Sequence, residues 1–208
     1  MNKLKLSSSL KIFCSIIVFI CINNYKSFAD SYSYGLLLGF TGSKVDGSIY
    51  TGYNKLGISA GTFVNKKLND TWCIQAEPKY IMKGAATNNS AGNPGTASRL
   101  ELDYIEIPLL IKARTSNNIE FESGLAEAYL VYSKQNFIDN SSSDIIINKT
   151  DLSWIAGISY IYSEKISFNL KFSYSLKRIS YWAYNITIFG TYGQYNNLFD
   201  FAVYYTIK

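Results

Sequence analysis

The chain has 208 residues, of which 48% are hydrophobic, 17% charged and 16% aromatic, with three prolines and no histidine. That length suits one domain, and the aromatic load excludes a disordered, coiled-coil or collagen-like protein. The missing histidine removes the usual general base, zinc ligand and pH switch together. The formal charge of +5 is concentrated at one end: residues 1–29 hold Lys3, Lys5, Lys11 and Lys26 and no acid, leaving 16 bases against 15 acids. A remainder of about +1 gives no nucleic-acid footprint.

Residues 1–29 read as a secretory signal peptide, and residues 30–208 as a single exported domain. Lys3, Lys5 and Lys11 precede an apolar run from Ile12 to Ile22, and Ser27-Phe28-Ala29 offers small residues where a signal peptidase cleaves. The run is too short to span a bilayer, which needs about 20 helical residues. Cys21 raises a lipoprotein signal as an alternative, but Val18-Phe19-Ile20 is bulky where that signal wants small residues. Cys14 and Cys21 depart with the leader, so Cys73 remains alone and no internal disulfide is possible.

From residue 33 onward the pattern has period two, in eight segments: 33–41, 56–67, 72–83, 103–114, 119–132, 152–162, 166–177 and Phe199 to Lys208. In the seventh, Ile166, Phe168, Leu170, Phe172, Tyr174 and Leu176 share one face and Ser167, Asn169, Lys171, Ser173, Ser175 and Lys177 the other. Such a division is a strand signature, because successive side chains point to opposite faces. Gly35, Gly39, Gly57, Gly61, Gly124 and Gly157 fall on the inward parity, where glycine makes room in a narrow interior. Glu127 breaks the pattern by falling on the apolar face; either a bulge shifts the register there, or the site lies at the rim, where a charge costs less.

Connections alternate without exception between short and long. Asn69-Asp70, Ser116-Asn117-Asn118 and Ser163-Glu164-Lys165 have hairpin-turn chemistry, whereas the long connections are rich in Ser, Asn and Gly. The pattern predicts an all-β fold: an eight-stranded antiparallel up-and-down barrel, whose closure removes exposed edges.

A soluble barrel and a membrane barrel demand opposite polarity. The polar faces carry Glu77, Lys79, Glu106, Lys112, Arg114, Glu120, Glu122, Lys171 and Asp200, while the apolar faces carry a continuous bulky band. A band of that size exceeds what soluble monomers leave in water. The expected arrangement is therefore a transmembrane barrel in the bacterial outer membrane. Trp72, Tyr80, Trp154, Tyr160, Phe168, Phe172, Phe199 and Phe201 are its lipid-facing aromatics. Glu77, Lys79, Glu106, Lys112, Arg114, Glu122, Lys171 and Asp200 form an interior network with no leucine or phenylalanine lining the lumen. Eight strands enclose a space that side chains fill, and mixed signs favour pairing over isolated buried charge. A polar plug follows, with a proton or ion path as the competing reading of the same charges.

No catalytic residue, cofactor site or metal site is assigned, and no enzymatic activity is expected: the chain has neither a G-x-S-x-G elbow nor a phosphate loop. Glu101, Asp103 and Glu106 sit near one loop, where a divalent cation is conceivable but solvated carboxylates are commoner. Expected partners are outer-membrane lipids and lipopolysaccharide, the barrel-assembly machinery, and an unidentified protein at the extracellular loops 84–101, 133–151 and 178–197. The aromatic loop Tyr181 to Tyr195 either binds a partner or rests its rings on lipopolysaccharide head groups, the second being the favoured reading. The alternative functions are a narrow channel or transport barrel for small solutes, and an outer-membrane subunit of a protein secretion apparatus.

Several stretches carry a family resemblance. They are Gly35-Leu36-Leu37-Leu38-Gly39, Gly57-Ile58-Ser59-Ala60-Gly61, Gln75-Ala76-Glu77-Pro78-Lys79-Tyr80 followed by Lys83-Gly84-Ala85, and most specifically Leu102-Asp103-Tyr104-Ile105-Glu106-Ile107-Pro108-Leu109-Leu110-Ile111-Lys112. These make the chain resemble the PorT-like outer-membrane β-barrel domain common in Bacteroidetes, which is related in shape to the OmpA/OmpX and OmpW barrels. The resemblance implies an outer-membrane location and delivery to the barrel-assembly machinery, and no single activity. The chain departs from the usual aromatic barrel ending, since Tyr205 is followed by Thr206, Ile207 and Lys208.

Overall fold

The computed structural model describes residues 32–48, 52–87, 99–115, 118–136, 146–181 and 186–208. The leader with its cleavage position after Ala29, Cys14, Cys21 and the middles of the long loops lie outside the described residues. The strands are β1 (Tyr32–Asp46), β2 (Lys55–Lys67), β3 (Trp72–Ala76), β4 (Lys79–Ala86), β5 (Arg99–Arg114), β6 (Ile119–Asn136), β7 (Thr150–Ile161), β8 (Ile166–Ser175) and β9 (Tyr195–Thr206). Neighbours pair in an up-and-down order, and β1 pairs with both β9 and β2, which closes the ring. Closure gives every strand two partners, the condition a sheet must meet where no water can satisfy its backbone.

Nine segments make eight barrel strands. β3 and β4 lie end to end, and both pair with β2 on one side and β5 on the other. The interruption is Glu77-Pro78, because proline has no N–H to give the ladder. Hydrogen bonding nonetheless crosses the break: Thr62 N donates to Pro78 O at 3.0 Å, and Glu77 N donates to Pro108 O at 3.1 Å. The short turns form as their composition predicts. Asn69 Oδ1 accepts from Thr71 N at 3.0 Å and Trp72 N at 2.8 Å, and Ser163 Oγ accepts from Lys165 N and Ile166 N at 3.3 and 3.1 Å. Asn118, at φ 57°, takes the left-handed conformation that Asn tolerates.

Strands β1, β5, β6 and β9 run further toward the long-loop end than the period-two band predicts. Along these extensions the two faces exchange character. On β1, Leu36, Leu38 and Phe40 are exposed, but the outward residues beyond them are Gly42, Lys44 and Asp46, and the buried Val45 points in. On β5, Ile105, Ile107, Leu109 and Ile111 face out around inward Glu106 and Lys112, whereas nearer Arg99 it is Glu101 and Asp103 that face out and Leu100 and Leu102 that face in. The inward apolar residues Val45, Ile81, Ala85, Leu100, Leu102, Tyr104, Ala128 and Leu198 form one cluster with Ile179, and Leu130 and Ile147 pack against it. A second cluster, Leu37, Phe63, Ala202 and Tyr204, sits within the barrel among residues nearer the short turns.

The expectation of a lumen free of leucine and phenylalanine is therefore corrected. For the cluster at the long-loop end the physical reason is that a strand passing out of lipid into water meets the opposite demand on each face; at the level of the band itself, Leu37 and Phe63 pack inward with Ala202 and Tyr204, and Leu110 with Ala126 and Ile155. Within the bilayer the apolar set must face out; beyond it the barrel keeps an apolar core and a polar surface, as a soluble barrel does.

Glu127 also finds its explanation here. The ladder shifts between the pairs Asp103–Tyr132 and Tyr104–Leu130, which leaves Val131 as the extra residue, so no bulge lies at Glu127 itself. Glu127 keeps its outward parity opposite Ile107 and Leu152, half-buried and within electrostatic reach of Lys177. It occupies the upper margin of the apolar band. An arginine in place of Phe201, inside that band, is expected to cost about 2–4 kcal/mol, and one in place of Thr150, at the outer end of β7, about 0–1 kcal/mol, in urea unfolding of the refolded protein.

Candidate functional site

Inward side chains from six strands and the β3–β4 junction converge in one ion-pair network. Lys171 Nζ on β8 reaches across the lumen to both Glu77 oxygens, at 2.7 and 2.8 Å, and lies 3.3 Å from Glu122 on β6. Tyr204 donates to Glu77 Oε1 at 2.9 Å and its hydroxyl also meets Lys171 Nζ. Gln75 Nε2 adds a third donor to Glu77 at 2.6 Å. Lys79 on β4 pairs with Asp200 on β9 at 2.9 Å and approaches Glu106 at 3.7 Å; Asp200 also accepts from Ser59 Oγ at 2.7 Å. Lys83 sits between Glu106 at 2.6 Å and Asp151 at 3.1 Å. Toward the short-turn mouth, Lys112 bridges Glu122 at 3.4 Å and Glu120 at 3.1 Å, and Glu120 meets Arg114 at 3.0 Å.

The chain of contacts is continuous from Arg114 at the mouth to Asp151, where Ser175 Oγ and Asn196 Nδ2 donate at 2.7 and 2.8 Å. Glycine provides part of the space. A Cβ at Gly157 would stand 2.7 Å from Glu122 Oε1 and 3.0 Å from Lys171 Cγ, so a larger residue would displace that pair.

Of the eight residues predicted for the interior, Glu77, Lys79, Glu106, Lys112, Glu122, Lys171 and Asp200 are buried in the lumen. Arg114 is not: it is exposed at the last position of β5, where the strand ends in the turn, and only its pairing with Glu120 ties it to the network. Lys83, Glu120 and Asp151 are buried members that the prediction omits. Lys83 and Glu120 lie on the correct parity in the sequence; Asp151 lies one residue before the segment as read, at a strand end where the pattern fades. Tyr204 is the aromatic member, its ring 4.9 Å from Lys171 Nζ.

All eight aromatics predicted for the outer wall point outward. Phe172 and Phe199 pack with ring centroids 5.3 Å apart, and Trp154 Nε1 donates to Ser123 Oγ at 3.1 Å. The carboxylates Glu101, Asp103 and Glu106 are separated, which corrects the thought of a shared cation site: Glu106 turns inward to Lys83, Asp103 accepts from Tyr80 Oη on the outer face at 2.7 Å, and Glu101 pairs with Arg99 at 2.8 Å. Alternation puts Glu106 on the inner face and Glu101 and Asp103 on the outer one, where each has its own partner.

Among the described residues, two layers of side chains occupy the lumen. The apolar cluster around Leu100, Leu102 and Ile179 fills the long-loop end, and the charged layer fills the middle. At the short-turn mouth a cavity of about 460 Å³ opens among Gln75, Lys112, Arg114 and Glu120, with Phe63 and Tyr204 in its wall. Replacing Lys171 by Met leaves Glu77 and Glu122 without their shared cation and is expected to cost about 3–5 kcal/mol. Adding Glu77→Gln to Lys171→Met recovers part of that loss, both read by urea unfolding.

The fold has solved counterparts. The structure is similar to the attachment invasion locus protein Ail of Yersinia pestis, at 12% sequence identity and a TM-score of 0.51, covering 85% of this chain and 99% of that one. It is likewise similar to Neisserial surface protein A (NspA), at 13% identity and a TM-score of 0.52, again over 85% of this chain and 99% of the other. At such identities the likeness is one of fold. No curated protein sequence matches the chain. The family model described as outer membrane protein beta-barrel domain matches residues 28–181. The closed ring, the outward apolar band and that match agree: this chain belongs to the outer membrane protein beta-barrel domain family and resides in the bacterial outer membrane.

Proposed function

We propose that the protein is a plugged barrel with a structural or surface-interaction role, which holds its long loops at the cell surface and passes no solute through its lumen. The observation that carries this reading is the transverse pairing of Lys171 with Glu77, Lys79 with Asp200 and Lys83 with Asp151, each joining strands on different sides of the ring. Moving a solute past these groups would separate buried ion pairs, each of which is costly to break in a low dielectric. The apolar cluster beyond them adds a dry barrier.

The same pairing supports a non-enzymatic role. Carboxylates held by lysines at 2.6–3.3 Å are not poised to accept a substrate proton. We place the chain, within its family, among the PorT-like barrels. The support is the Leu102–Lys112 stretch, whose inward members Tyr104, Glu106 and Lys112 all contact the charged layer or its flank. On this reading residues 1–29 are a cleaved signal peptide, the barrel-assembly machinery inserts the chain, and lipids with lipopolysaccharide surround it. A protein partner would meet the long loops.

Purified protein in planar bilayers is expected to give no large, stable conductance steps. Steps that persist at fixed voltage would overturn the plug and favour transport.

A further inference from the structure

The segment between β8 and β9 differs from the rest of the surface in both charge and placement. Ile179 to Phe199 is a stretch of 21 residues without a charged side chain. Within it, Thr187 to Thr191 forms a tight turn: Thr187 N donates to Thr191 O at 3.1 Å, Gly190 N to Thr187 O at 2.9 Å, and the two threonine hydroxyls meet at 2.8 Å. The turn leaves Ile186, Ile188, Phe189 and Tyr192 exposed at 59, 60, 67 and 72%. A surface turn in water normally carries polar residues at such positions.

Its position explains the composition. The turn packs on the outer wall and not over the mouth. Phe189 meets the outward Tyr174 edge-on at 4.8 Å between centroids, and Tyr174 stacks on the outward Tyr195 at 6.0 Å. Ile188 N donates to the outward Asp46 at 3.3 Å, and Tyr174 Oη reaches the same carboxylate at 3.2 Å. On β8 the next outward residues below Tyr174 are Phe172, Leu170 and Phe168, which belong to the apolar band. The turn's apolar side chains thus continue that band at its upper margin, on the same wall.

We infer that the 186–192 turn is an interfacial paddle, its apolar side chains resting on the outer leaflet at the headgroup–acyl boundary beside β8 and β9. The occupant of this apolar surface is lipid, because the surface is continuous with a wall whose partner is already lipid and carries no charge for a protein to pair with. The N–H groups of Thr187, Ile188, Gly190 and Thr191 find acceptors within the turn or at Asp46, and at the interface headgroups and water serve the rest of its backbone. The inference builds on the barrel's outer-membrane placement and is independent of whether the lumen conducts.

Single cysteines at positions 188 and 189, in full-length protein with Cys14, Cys21 and Cys73 replaced by Ser, carry nitroxide labels after refolding into phosphatidylcholine vesicles. Position 201 in the apolar band serves as the lipid reference and position 163 in a short turn as the aqueous one. Heat-modifiable gel migration confirms a closed barrel in each case, and Ile188→Cys stands in if Phe189→Cys fails to fold. The expected result is more collision with oxygen and less with a water-soluble nickel chelate at 188 and 189 than at 163, approaching the values at 201. Nickel access equal to that at 163 overturns the paddle and leaves the turn for a protein partner. Dipolar coupling between labels on different molecules, with protection from both reagents, overturns it in favour of a second copy of this chain.

Discussion

A β-strand presents its side chains alternately to two sides, so the medium on one side decides what remains for the other. In this protein the medium outside changes from hydrocarbon to water along a single strand, and nearly every feature of the interior follows from that change. Where lipid covers the wall, the outward parity must be apolar, and the polar residues of the sequence go to the lumen. Where the strands of β1, β5 and β9 emerge, Lys44, Asp46, Glu101 and Asp103 take the outer face and Val45, Leu100, Leu102 and Leu198 the inner one. The barrel is a membrane protein over one part of its length and a small soluble barrel over the rest, built on the same hydrogen-bond ladder.

The narrow radius fixes how the polar part is filled. An eight-stranded ring leaves room for side chains and little else, so its charged groups must neutralise one another across the bore. Lysine suits this geometry because its long stem spans the lumen, and its ammonium accommodates two or three carboxylates, as Lys171, Lys79 and Lys83 do. Such pairs are weak evidence for stability, because desolvating the charges offsets their attraction. Their effect here is to define one register: a strand displaced by one residue would turn Lys171 or Asp200 into lipid and Phe172 or Phe201 into the lumen.

How much of this was legible in the sequence depended on how strongly each residue type is bound to one medium. Phe168, Leu170 and Phe172 alternating with Asn169, Lys171 and Ser173 admit one interpretation, and β8 with its inward lysine was readable. The alternation of short and long connections was equally direct, and gave the topology. The outer extensions were not legible, because at the crossover both faces hold small or mixed residues, as in Thr41-Gly42-Ser43, and the period-two signal vanishes while the strand continues. Asp151, Leu100, Leu102 and Leu198, all outside the segments with a clear period, were lost for that reason. Ile179 was beyond reach in a different way: it comes from a loop, and nothing local in its sequence says that it folds back into the barrel. The carboxylates of β5 are the converse case: proximity in sequence allowed a shared cation site as the less common alternative, and alternation removes Glu106 from the other two.

The transverse pairs also bear on how the protein is assembled. Lys171 and Glu77, Lys79 and Asp200, and Lys83 and Asp151 are separated by 94, 121 and 68 positions along the chain. A curled sheet that has not yet joined its first and last strands holds these transverse partners apart, leaving Lys79 and Lys83 with Glu106 of the neighbouring strand and Lys171, Glu77, Asp200 and Asp151 more exposed to water. Dehydration of the bore and the final seam between β1 and β9 must therefore come together, which makes an open, half-inserted intermediate a wet one and gives the closing step its all-or-none character.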